Sequence, residues 1–115
     1  MFIATIIVSA LMALVLISSA AGKLQGKDAI VQQMGNVGVT GKMIPALGVI
    51  EIAGAIGLIA GLFWAPIGIA AAIGVILYFV GAVIAHVRAH DSAIAPPAVL
   101  ALVAVAALVL RVLSA

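Results

Sequence analysis

Cysteine is absent from the chain, which excludes disulfides, thiolate nucleophiles and cysteine-ligated metal or iron–sulfur centres. Histidine occurs twice, too few for a histidine-built site, so no metal site is expected. Charge is scarce too: five Lys or Arg and three Asp or Glu, 7% of 115 residues. A net charge of +2 drawn from so few groups says little about partners. No basic cluster is present and aromatics are only 4%, so nucleic acid is not an expected partner. What remains is apolar, with 68% hydrophobic residues and a mean hydropathy of +1.52. A soluble core of this size cannot bury so much apolar surface, and the expected solvent and first partner is a lipid bilayer.

Four runs are long enough to cross it, at residues 2–21, 44–63, 65–87 and 96–113. The first has no charge, lacks the positive leader of a signal peptide and outlasts a usual signal core, so a retained membrane helix is expected. Pro45, Pro66 and Pro96-Pro97 fall where helices start and where a missing N–H costs nothing. Gly68, Gly74 and Gly81 on the third span, and Ala53, Gly57 and Gly61 on the second, form small-residue seams for close packing, inside the bundle or between copies as a homodimer. Trp64 suits the membrane interface, and Arg111 reads as a snorkelling anchor. Residues 23–43 are the polar stretch. Asp28 is placed to cap a short interfacial helix with apolar Ile30, Val31 and Met34, ending at Gly35 or Asn36. The expected fold is all-α: an up-and-down four-helix transmembrane bundle in one domain, residues 1–115, with that short helix between helices 1 and 2.

Glu51 is the acid inside these spans. At about 1.5 Å per residue it lies roughly 10 Å below the start of the second span. An ionisable group at that depth faces protein or water, not lipid. Gly48, Gly54 and Ala55 share its helix face, so another helix can come close. The up-and-down topology gathers nearly all the ionisable groups of the spans at one end. Lys23 closes the first span, Glu51 lies two turns into the second, and His86 and Arg88 close the third. Tyr78 lies about two turns before His86, near the depth of Glu51. The candidate site is therefore Lys23, Glu51, Tyr78, His86 and Arg88, with Lys23 or His86 the expected partner of the carboxylate. His90 and Asp91 read as solvated loop residues. Three readings of the cluster stay open. It moves protons or holds a polar head group such as that of a quinone; it binds cations or protons in a small transporter; or it is an ion pair that only holds three spans together.

Several stretches together resemble the DoxX-like family of small bacterial membrane proteins. They are Lys23-Leu24, the Met34-Gly35-Asn36-Val37-Gly38-Val39 loop, the run from Leu47-Gly48 through Glu51 to Gly57-Leu58, and Gly81-Ala82 through His86 to Arg88-Ala89. The likeness extends over nearly the whole chain. Where the family often carries a glycine three residues before the lysine, this chain has Ala20. The resemblance implies a four-helix fold in the bacterial cytoplasmic (inner) membrane. It also implies a link to quinone and redox metabolism, as a non-catalytic or accessory subunit beside a membrane-associated oxidoreductase partner, with quinone as the candidate ligand. A small proton-coupled transporter resembling the small multidrug-resistance type matches in length, span number and lone membrane glutamate. In that family, however, the glutamate is in the first span and aromatics are many.

Lys23, Lys27, Lys42 and Arg88 border one face of the membrane and Arg111 the other, so both polar loops are expected in the cytoplasm and both termini outside. A cysteine introduced at Gln32 is expected to resist a membrane-impermeant thiol reagent in intact cells and to react after permeabilisation; labelling of intact cells would reverse the orientation.

Overall fold

A computed structural model describes residues 2–92 and 94–115. The described residues form five helices: α1 Phe2–Gln25, α2 Asp28–Asn36, α3 Met43–Ala60, α4 Ala65–Arg88 and α5 Ala95–Leu113. All but α2 are long and apolar enough to cross a membrane. The long dimension of the molecule, 40 Å, matches a bilayer with its interfacial layers. Around the bundle α1 packs on α3, α3 on α4, α4 on α5 and α5 back on α1. Met12, Ala13 and Leu16 of α1 meet Ala55 and Leu58 of α3, Ala72, Val75 and Phe79 of α4 and Ala104 of α5 at its centre. Large side chains such as Leu11, Ile56, Leu77 and Leu102 stay exposed around the outside, which is the surface a lipid solvent covers.

Three helices end at the polar-loop end of the molecule with the same device. At the end of α1, Gly26 takes a positive φ of 64°; its N–H donates to the Lys23 carbonyl and the Lys27 N–H to the Gly22 carbonyl. Gly38, at φ 83°, repeats the pattern after α2, with the Val39 N–H reaching back to Met34 at 2.9 Å. His90, at φ 55°, repeats it after α4, with the Asp91 N–H donating to the His86 carbonyl at 2.9 Å. These are Schellman caps, which satisfy carbonyls that a helix end leaves open. His90 is thus a cap residue and not merely a solvated one. Asp28 is not the cap of α2: Lys27 holds that position, no side chain caps the helix, and Asp28 begins its first turn.

The opposite end is closed by Arg111. The sequence suggests a snorkelling anchor, but the side chain is only 8% exposed. Its Nε donates to the Gly61 carbonyl at 2.7 Å, and a terminal guanidinium nitrogen donates to Ser114 Oγ at 3.0 Å. Thr5 of α1 donates to the Leu110 carbonyl or Ser114 Oγ, and the guanidinium lies 5.7 Å from the centre of the Phe2 ring. The cation turns inward because a carbonyl freed at the end of α3 needs a donor, and positive charge is favoured there. This explains why α3 stops at Ala60 and not at residue 63: residues 61–63 form a tight turn into α4, which Trp64 opens in extended conformation.

At this apex α3 and α4 touch backbone to backbone. A Cβ built on Gly61 would collide with the Cα of Gly68, and one on Gly57 would lie 2.7 Å from the Ala71 Cβ. The expected seam on α3 is therefore an intramolecular one at Gly57 and Gly61, while Ala53 is exposed. On α4 the seam is confined to Gly68, since a Cβ at Gly74 or Gly81 would meet nothing within 4 Å. Gly61→Ala is expected to cost about 1–3 kcal/mol through overpacking and to lower the melting temperature in detergent. Gly81→Ala, with open space around it, is the control and should be neutral or stabilising. Equal melting of the two variants would show that the apex is not packed this way.

Candidate functional site

The polar end of the bundle carries Lys23 in the last turn of α1 and Glu51 in the middle of α3. The two helices can meet there because Gly48 presents no side chain: a Cβ on it would lie 3.1 Å from the Leu24 side chain and 3.3 Å from the Ala20 carbonyl oxygen. Lys23 is 7% and Glu51 2% exposed, and Lys23 Nζ lies 2.8 Å from Glu51 Oε1. Nζ also donates to Ser19 Oγ, one turn back on α1, at 2.7 Å. The ammonium thus lies between a hydroxyl that accepts one of its protons and the carboxylate that balances its charge.

The carboxylate is less well served. Although Oε1 is in ion-pair contact, neither oxygen accepts a hydrogen bond of good angular geometry, and both are fully buried. The charges attract at 2.8 Å through Oε1, and a carboxylate has acceptor positions beyond that one contact. Tyr78 on α4 faces the same carboxylate, near enough for its hydroxyl to interact with it. A buried charged acceptor left this way calls for a donor from elsewhere.

The space for one is adjacent. A cavity of about 490 Å³ lies under α2, lined by Lys23 and Ser19 of α1, Glu51 and Leu47 of α3, Tyr78, Ala82 and His86 of α4, and Pro96, Pro97 and Leu100 of α5. Ile30, Gln33 and Met34 of α2 and Val37 and Val39 after it form the roof. No residue of α2 is fully buried, so this helix rests on the cavity and is not embedded in the bundle. The apolar spacing of the short helix was legible in the sequence, but its place over the glutamate was not. His86 Nδ1 is bonded to the Ala82 carbonyl of its own helix at 2.8 Å. Because a carbonyl only accepts, Nδ1 carries the proton of that bond and donates it.

Of the sequence-derived candidates, Lys23, Glu51, Tyr78 and His86 all line this cavity. The partner of Glu51 is Lys23; His86 is engaged by its own backbone instead. Arg88 is exposed at the end of α4 and does not line the cavity, because two residues on from His86 the helix has turned by about 200° to its outer face. Ser19 is a member that sequence reasoning missed. Its signal was the i, i+4 spacing to Lys23, which puts the hydroxyl directly over the ammonium.

A family model described as the DoxX-like family matches residues 7–108. No curated protein and no solved structure matches the chain.

Glu51→Gln leaves the Lys23 ammonium buried without its anion and is expected to cost about 3–5 kcal/mol of stability, read as thermal melting in detergent. Adding Lys23→Met should recover most of that loss, since the double variant buries no unpaired charge. Additive losses in the double variant would show that the two side chains are not coupled.

Proposed function

Since the chain belongs to the DoxX-like family and is a multi-pass integral membrane protein, we propose that it is an accessory subunit that holds the polar head group of a quinone-type lipophile at its buried ion pair. The observation that carries this reading is the Glu51 carboxylate, 2% exposed and without a well-formed hydrogen bond, at the wall of the cavity of about 490 Å³. A quinol hydroxyl would add a donor to a carboxylate that accepts more than its Lys23 contact supplies. A quinone carbonyl accepts from a further proton of Lys23 or from the Tyr78 hydroxyl. The walls around these groups are Leu, Met, Val and Pro, which suits an apolar ring. The chain's role in this reading is to bind and orient; electron transfer belongs to an oxidoreductase partner docked on the membrane. Such a partner is expected on the membrane face that carries α2, which the positive-inside rule favours as the cytoplasmic one.

The ion pair as a purely structural device is the second reading, favoured by the 2.8 Å contact itself. Binding of a tailless dimethoxy-methyl-benzoquinone and its quinol to the purified protein in nanodiscs separates the two. Under the head-group reading the wild type binds and the stable double variant Glu51→Gln with Lys23→Met loses about tenfold or more in affinity. Equal binding by both proteins, or by neither, overturns the head-group reading.

A further inference from the structure

The α3–α4 interface opens as a wedge, and the side chains along it explain why. Starting at the apex, the facing pairs are Gly61 with Gly68, Gly57 with Ala71, and Gly54 with Val75. Next in the same antiparallel register come Glu51 and Tyr78. Each step toward the polar end puts larger side chains between the two helices, so they are held together at Gly61 and apart at Glu51. In the gap lies a second cavity, of about 140 Å³, bounded by Leu16, Glu51, Val75 and Tyr78 inside and by Ile50 and Gly74 at its rim. Leu16, Glu51 and Val75 are buried, whereas Ile50 and Gly74 are exposed. Gly74 lies about 13 Å along α4, near the middle of a membrane-spanning helix, so this rim opens sideways into hydrocarbon and not into water.

Glu51 and Tyr78 line this groove and also the large cavity under α2. The two spaces therefore share a wall made of the two polar residues. One side of that wall is roofed and carries Lys23 and His86; the other is apolar and faces lipid. A ligand with a polar head and a hydrocarbon chain matches this division.

We propose that the groove between α3 and α4 is the lateral doorway and chain subsite of the ligand, whose hydrocarbon tail lies over Gly74 while its head sits beyond Glu51 and Tyr78. The proposal rests on the head-group reading above and adds the route and the tail. Entry from the bilayer needs no opening of the polar end, because the tail never leaves hydrocarbon. Gly74 is the position that keeps the doorway clear, since any side chain there would project into the groove mouth. It is also a safe position to change, because a Cβ at Gly74 meets nothing within 4 Å.

The test compares two probes on the protein in nanodiscs: a dimethoxy-methyl-benzoquinone with a decyl chain, and the same ring without it. Gly74→Phe is expected to weaken the decyl compound by about tenfold or more while leaving the tailless ring unchanged. Gly74→Ala should have a smaller effect in the same direction. Unchanged melting of both variants checks that the bundle is intact. Unchanged affinity for the decyl compound in Gly74→Phe overturns the doorway, as does equal weakening of both probes. If Gly74→Phe instead sheds a co-purified phospholipid, seen by native mass spectrometry, with decyl binding intact, the groove is an annular-lipid site and the proposal falls. Failure of the wild type to bind the tailless ring overturns the head-group reading first, and the doorway with it.

Discussion

A carboxylate cannot remain charged in hydrocarbon without a cation or donors around it, and the contact of Glu51 with Lys23 answers that constraint. Much of this end of the molecule depends on it. The pair ties α1 to α3 at a depth where apolar contacts alone supply little preference for one helix neighbour over another, because lipid tails are as apolar as Leu. Gly48 and Ala20 are small so that the two helices can approach closely enough for the contact. Ser19 accepts an ammonium proton and holds Nζ in place. The arrangement leaves acceptor positions of the carboxylate open toward the adjacent cavity.

The two ends of the bundle solve the same problem in opposite ways. At the Arg111 end a buried cation spends its donors on a backbone carbonyl and a serine hydroxyl, the helices close backbone to backbone, and the polar groups there are matched to one another. At the Glu51 end the helices stand apart, a surface helix lies over the gap, and a polar acceptor is left facing it. Close contact at Gly61 and Gly68 and the larger facing side chains at Glu51 and Tyr78 leave the space between α3 and α4 toward the polar end.

Much of this was legible from residues alone. The four spans, the short helix from residue 28 to 36, and the gathering of Lys23, Glu51, Tyr78 and His86 at one end follow from hydropathy, proline position and an up-and-down path. What escaped was direction around each helix. Arg88 and His86 are two residues apart, yet one is exposed and the other buried. Gly68 and Gly74 look alike in sequence, yet one is pressed against a neighbouring backbone and the other faces open space. A nearly uniform apolar sequence gives no polar face from which to read rotation, because both the core and the lipid accept the same side chains.

The sequence by itself determined that this chain spans a membrane with all its ionisable side chains but Arg111 gathered toward one end, because burial of charge and of backbone polar groups in lipid is costly enough to dictate segment boundaries. Tertiary structure alone decided which of those groups touch. Lys23 rather than His86 meets Glu51, Arg111 turns inward instead of toward the interface, and α2 comes to rest over the cavity. These choices depend on differences of a few ångströms in helix approach. Those differences are set by which small residues face one another across the bundle, a property of pairs of helices that no single segment contains.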